Sequence, residues 1–211
     1  SSNSSVYGNN ITNNTGGIQL DHSSSISISR NNITNNGYGI LFYYSSGNTI
    51  YEDNITNNSD GIRLDYSSNN ILRGNVIAHN EYNFCTIGLS FSDFVNDIDV
   101  SNTVDGKPIY YLINQQDMDV PSNAGYVALI NCTRITAQDL NLTNNGHGAL
   151  LVYTTNSTVA KNNIACSKWG IRLYYSSDNI ISENNITTNN FEGILLDYSL
   201  ANNISENTIV S

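Results

Sequence analysis

The apolar positions of this chain alternate with polar ones in short runs, and the runs recur every 22 residues. Ile18 and Leu20 form one such run, and Ile40 with Phe42 and Ile62 with Leu64 repeat it. It returns at Ile171 with Leu173 and, after a one-residue insertion at a turn, at Ile194 with Leu196. Alternation with period two marks a strand that buries one face. A second run is carried by the hexamer Asn-Asn-Ile-Thr-Asn-Asn, which begins at Asn9 and again at Asn31. A close copy starts at Asp53, and Leu142, Ile164 and Ile186 resume the pattern. A third run holds Val6, Ile28, Ile50 and Leu72, then Val159 and Ile181. Clusters of Asn, Gly and Ser separate the runs, and no segment shows a helical period of useful length. One unit of this size cannot bury its own apolar face, so it must stack on its neighbours, about 4.8 Å away. The pattern predicts an all-β chain: a right-handed, single-stranded parallel β-helix with three short strands per coil.

Stacking turns equivalent residues into columns. Gly17, Gly39, Gly61, Gly148, Gly170 and Gly193 form one column, which Asn83 joins in the fourth coil. Because Asn best replaces Gly at positive φ, this column is expected at a left-handed turn. A second column, Asn10, Asn32, Asn54, Asn141, Asn163 and Asn185, precedes the Ile of each hexamer. It is expected as a buried amide ladder, broken where Val76 interrupts it. An aromatic column of His22, Tyr44, Tyr66, Tyr153, Tyr175 and Tyr198 is placed on the core side or at a corner. The repeat is clean over residues 1–83 and 125–211. Over 84–124 the axis is expected to continue while loops project from it, all within one domain spanning 1–211.

Composition changes this picture in a few places. Charged residues are only 12% of the chain and the net charge is −10. Nucleic-acid binding needs clustered Lys and Arg, and the eight here are scattered, so no nucleic-acid partner is expected. No apolar run is long enough to span a bilayer, and no membrane insertion by this segment is expected. Cys85, Cys132 and Cys166 fit no metal or CxxC spacing. They read as small buried hydrophobes, with one disulfide plus one free thiol as the alternative. Both ends fall inside the repeat pattern, so the chain reads as a segment of a longer protein. Exposed end coils would invite end-to-end self-stacking.

Candidate chemistry lies on the outward side of the Ile-x-Leu strands. Alternation there turns out the columns holding Asp21, Tyr43, Asp65, Tyr174 and Asp197, and Arg63 with Arg172. These seven residues are the candidate carbohydrate contacts. Polysaccharide cleavage would need two carboxylates at a suitable separation, and Asp65 and Asp105 are the candidates if catalysis occurs. Asp97, Asp99, Asp105, Asp117 and Asp119 crowd the irregular segment, where calcium is an open reading. Asn-x-Ser/Thr occurs eleven times. With the Asn10, Asn32, Asn54, Asn141 and Asn185 sequons expected inside the ladder, glycans are expected at Asn3, Asn13, Asn57 or Asn156.

The repeat Asn-Asn-Ile-Thr-Asn-Asn…Gly-Ile-x-Leu-x-Tyr-Ser-Ser-x-Asn resembles NosD-type β-helix repeats. These belong to the wider class of carbohydrate-binding proteins and sugar hydrolases, the CASH domains. Asn102-Thr103-Val104-Asp105-Gly106-Lys107-Pro108-Ile109-Tyr110-Tyr111 and Ala124-Gly125-Tyr126-Val127-Ala128-Leu129-Ile130-Asn131-Cys132-Thr133 are similar to recurring stretches of that family. The resemblance covers nearly the whole chain. It implies a β-helix of the kind found in archaeal, methanogen-like cell-surface proteins. It also implies a copper-delivery role, for which this chain offers only His22, His79, His147, Met118 and three Cys. No cofactor is assigned from the residues themselves. The preferred reading is a non-catalytic, extracellular cell-surface module, a rigid spacer that binds a polysaccharide or surface glycan along an outward sheet. A polysaccharide hydrolase or lyase and a copper-delivery accessory are the alternatives.

Overall fold

The computed structural model describes residues 2–210. It divides into two compact units, Ser1–Ile109 and Tyr110–Ser211, at a point inside the segment where the repeat falters. Each unit is a parallel β-solenoid. In the first, strands such as Ser5–Tyr7, Asn10–Thr12 and Gly16–Asp21 make one coil, and Ser27–Ser29, Asn32–Thr34 and Tyr38–Tyr43 make the next. Partners lie 22 residues apart: Ile28 pairs with Ile50, Ile33 with Ile55, and Ile40 with Ile62. The second unit repeats this, with Leu142 beside Ile164 and Leu151 beside Leu173. The Ile and Leu columns point inward, and Ile28, Ile33, Ile40, Ile55 and Ile62 are fully buried.

The 22-residue register holds as far as Ile87, which pairs with Asp65. Beyond it a short 3-10 turn, Phe91–Phe94, is inserted. The first unit then adds one more partial coil: Ile98 pairs with Leu72 and Val104 with Ile77. Lys107 and Pro108 fold back antiparallel on Thr103 and Val104.

The buried amide ladder exists, but one residue earlier than the sequence pattern suggested. Asn10, Asn32, Asn54, Asn141, Asn163 and Asn185 are exposed. The reason is the period of two. Ile33 points inward, so its neighbour Asn32 must point out, and Asn31 shares the inward side. The ladder therefore runs through Asn31, Asp53, Asn75 and Asn102, all 2% exposed or less. Val76 does not break it, because Val76 is on the outer face at 48% exposure and Asn75 keeps the column whole. A second ladder follows the same strand through Asn36, Asn58 and Asn80. In the second unit Asn162, Asn184 and Asn207 continue the motif.

The glycine column also has a different cause. Its φ values are not left-handed; the positive-φ glycines are Gly8, Gly47, Gly74 and Gly106. The column needs Gly because coils touch there. A Cβ on Gly39 would lie 2.6 Å from Gly61 O and 2.6 Å from Ile55 Cγ2. Asn83 is tolerated because its strand, Tyr82–Ile87, is the last in its sheet, so no strand of that sheet follows to meet its Cβ. The left-handed positions are the corners, held by columns such as Asn13, Asn35, Asn57 and His79.

One ladder position is chemically wrong for its slot. Asp53 Oδ1 accepts from Asn31 N at 2.7 Å and from Asn31 Nδ2 at 2.9 Å. At equivalent positions the amide nitrogen donates to a carbonyl 25 residues back, as Asn75 does to Ile50 O. It also donates to the next Oδ1, as Asn75 does to Asn102. Asp53 puts Oδ2 in that place, and the oxygen is buried with no hydrogen-bond partner among the described residues. Burial pushes this carboxyl up to about 6. The folded state then holds the proton more tightly than the unfolded chain, so the proton's contribution is present at low pH and fades as pH rises from about 4 to 6. Asp53→Asn should restore the missing donor and stabilise the protein by about 1–2 kcal/mol at pH 7. Urea denaturation at pH 4 and pH 7 checks this. A gain that is no larger at pH 7 than at pH 4 would contradict it.

Candidate functional site

In the first unit the outward side of the Ile-x-Leu strands carries Asp21, Tyr43, Asp65, Gln19 and Arg63 in adjacent columns. Arg63 Nε lies 2.9 Å from both oxygens of Asp65, and Arg63 Nη1 is 3.7 Å from Asp60. Asp65 is only 5% exposed. Its carboxylate is therefore engaged on both oxygens by a guanidinium in its own strand. Asp21 is exposed, and its Oδ1 sits 2.6 Å from His22 Nδ1. Asp21 and Asp65 are separated by the coil of Tyr43, about 10 Å of coil rise. A cleaving pair would place one acid and one base on a common bond, but here Asp65 is held by the Arg63 guanidinium and Asp21 by the His22 ring.

The second unit pairs the same residue types differently. Arg172 Nε and Nη2 lie 3.0 and 2.8 Å from Asp197 Oδ2, across to the next coil. Its guanidinium also lies over Trp169 and Tyr174, at 5.9 and 5.5 Å from the ring centroids. Tyr174, expected to face outward, is 5% exposed, whereas Tyr43 is 38% exposed. The neighbours Leu150 and Val152, on the same columns, are fully buried. Alternation gives the direction of a side chain from its sheet, and cover over that sheet decides its exposure.

The aromatic column is at a corner. His22, Tyr44 and Tyr66 have φ of 45°, 46° and 51°. Their rings stack at 5.2 and 4.8 Å with tilts of 22° and 18°. Tyr153, Tyr175 and Tyr198 repeat the stack at 5.1 and 4.8 Å. Tyr43 and Tyr174 meet Tyr44 and Tyr175 edge-on. Ring faces inside each stack are covered by the next ring, so the surface offers edges and hydroxyls. A shallow hollow of about 340 Å³ is lined by His22, Ser23, Ser24, Tyr44 and Ser46.

Four of the five acids of the irregular segment are also engaged. Arg73 pairs with Asp97 and, at 3.2 Å, with Asp99. Asp105 accepts from His79 N and from Asn83 Nδ2, both at 2.8 Å. Asp117 takes Arg134, which holds its carboxyl below the usual range. Asp119 is exposed.

Two residues matter that the sequence pattern did not single out for structure. Asp53 is one. The other is His147, which the sequence offers only as a candidate copper donor and which is fully buried. Its ring stacks on Trp169 at 4.9 Å and 18°. Neither ring nitrogen has a hydrogen-bond partner among the described residues. Burial, then Arg172 and Lys168, push it down to about 3. Cys85 and Cys132 are buried as expected, but Cys166 is exposed at a corner with φ 54°. All three are free thiols.

With this geometry in hand, the chain can be set beside known proteins. The family described as "Periplasmic copper-binding protein (NosD)" matches residues 1–105 and again residues 95–211. The chain belongs to the NosD family. Each match covers about one of the two units. Among solved structures, this NosD-family chain aligns with an alginate lyase from Paenibacillus sp. str. FPU-7. The identity is 12% and the TM-score 0.34, over 93% of this chain and 76% of that one. A search of curated proteins gave no match.

The family name makes copper a group to test against these residues. Copper takes His, Cys or Met ligands that converge on one point. Among the described residues no three His, Cys, Asp or Glu side chains gather so that they could hold a metal ion. His22 is turned to Asp21, His147 is enclosed, and Met118 packs against the second unit's core. Among the described residues the donor set does not gather into a resident copper site.

Proposed function

We propose that this NosD-family chain is a non-catalytic, extracytoplasmic β-helix module, a rigid cell-surface spacer with a glycan-contacting edge. The observation that carries the reading is the coil-to-coil bonding within each unit. Buried amides link each coil to the next through both side chain and backbone, as Asn36, Asn58 and Asn80 do. Such a ladder leaves few soft joints along each unit, which suits a spacer. Outward Asp65 and Asp197 are neutralised by Arg63 and Arg172, which favours recognition of hydroxyls over acid–base work. The hollow beside His22 and Tyr44, with Tyr43 next to it, is the glycan-contacting edge in this reading. The family's description supports a place outside the cytoplasm.

A glycan array combined with a reducing-sugar assay on acidic polysaccharides tests this. The expected result is binding that falls at least about fivefold in Tyr43→Ala, about 1 kcal/mol of lost contact, with no release of reducing ends. Turnover abolished by Asp65→Asn or Asp105→Asn would replace the proposal with a polysaccharide-cleaving enzyme. Dialysis of the same preparation against Cu(I) and Cu(II) should show no stoichiometric uptake at micromolar metal. Uptake there would favour copper delivery instead.

A further inference from the structure

The corrected ladder register changes what the sequons mean. All eleven sequon asparagines are exposed. The fourteen asparagines buried in the ladders and elsewhere all lack Ser or Thr two residues on. The chain thus sorts its asparagines into two populations, one committed to internal bonding and one bearing the acceptor signal on the surface. For the strand sequons alternation alone enforces this, because an inward Ile sits between an outward Asn and an outward Thr. For the corner sequons no such rule applies, and the sorting is an independent observation.

The exposed sequons differ among themselves. Within the strands, Asn54 Nδ2 donates to Asn32 Oδ1 at 2.8 Å. Asn185 Nδ2 donates to Asn163 Oδ1, and Asn163 Nδ2 to Asn141 Oδ1. These amides form an outer ladder with one rung per coil. Asn32 and Asn54 are sequons on adjacent rungs, about 4.8 Å apart, which leaves little room for two glycans side by side, while Asn141 and Asn185 are each tied to Asn163 between them. At the corners, Asn3, Asn13, Asn57 and Asn156 have φ of 54°, 60°, 57° and 51°. Their side chains are exposed and make no hydrogen bond to the described residues. Asn13 and Asn57 share one corner, two coils apart, which is about 10 Å of rise. Asn35 lies between them in the same conformation, but Gly37 at its +2 position removes the acceptor signal. Asn131 is also at a corner, yet its amide is bonded to Asn114 Oδ1 at 2.7 Å.

We propose that Asn3, Asn13, Asn57 and Asn156 are N-glycosylation sites, and that the laddered strand sequons Asn32, Asn54, Asn141 and Asn185 stay unmodified. In this step the asparagine Nδ2 forms a bond to the anomeric carbon of a lipid-phosphate-linked oligosaccharide. The lipid phosphate leaves with the bonding electron pair, and one amide proton passes to solvent. The corner positions suit the step because the amide is free and stands off the sheet. The inference rests on the extracytoplasmic placement proposed above.

The test is fractionation of the native source, then peptide mapping of the recovered protein after enzymatic deglycosylation in ¹⁸O water. Labelled aspartate should appear at positions 3, 13, 57 and 156, with positions 32, 54, 141 and 185 unlabelled. Extracytoplasmic protein that carries no sugar, or carries it mainly on Asn32 and Asn54, would overturn this inference alone. Recovery from the cytosol would overturn the placement as well. An N13Q/N57Q/N156Q variant should lose most of its glycan mass, whereas N32Q/N54Q should keep it. The reverse pattern would likewise overturn the assignment.

Discussion

Asn58→Ala is expected to destabilise the protein by about 3–5 kcal/mol, while Asn54→Ala, four residues away, should cost less than about 0.5 kcal/mol. The contrast follows from the ladder. Asn58 Oδ1 accepts from Asn36 N at 2.9 Å and from Asn36 Nδ2 at 3.1 Å. Its Nδ2 donates to Ile33 O, Thr56 O and Asn80 Oδ1 at 3.0–3.1 Å. Truncation leaves all of these groups buried without that partner, and each orphan carries a desolvation cost. Asn54 makes one exposed bond, to Asn32, and water can replace it. Urea midpoints followed by far-UV circular dichroism at pH 7 separate the two variants. Equal losses would mean that the buried amides contribute no more than the surface ones. That result would also remove the basis for a stiff spacer.

The same pair of residues shows what the sequence could and could not reveal. The 22-residue period, the inward Ile and Leu columns and the parallel pairing were all legible, because stacking forces identical residues into register. The face of the ladder was legible too, by counting two residues back from Ile33 to Asn31. The repeated Asn-Ile-Thr instead drew attention to the residue next to the Ile. The glycine column was visible, but its cause was not. A positive φ and a close approach of two backbones select the same residue, and only coordinates distinguish them. Asp65 and Arg63 were named as outward residues, and their mutual neutralisation came from geometry. In Arg172 the partner is Asp197, 25 residues on, which the period alone does not identify. The burial of Tyr174 was beyond any strand pattern, because it depends on what lies over the sheet.

His147 carries that last point into a measurable pH dependence. Its folded value near 3 is far below the ordinary histidine value of 6.5. The unfolded chain therefore takes up a proton in the window between the two, while the folded chain does not. Stability is held above pH 6.5 and lost progressively as pH falls toward 3, by about 3 kcal/mol between pH 6.5 and pH 4. Trp169 is the only tryptophan and stacks directly on this ring, so its fluorescence reports the second unit's unfolding. His147→Phe keeps an aromatic ring against Trp169 and removes both the titration and two buried nitrogens without partners. Its urea midpoint, read by Trp169, should equal or exceed that of the wild type at pH 7. The variant should also lose at least about 2 kcal/mol less than the wild type on acidification to pH 4. Asp53 works with the opposite sign in the first unit, so the double variant Asp53→Asn/His147→Phe separates the two contributions. If acidification destabilised wild type and His147→Phe alike, the enclosed imidazole would not be the acid-sensitive group, and Asp117, whose carboxyl Arg134 holds below the usual range, would be the next group to test.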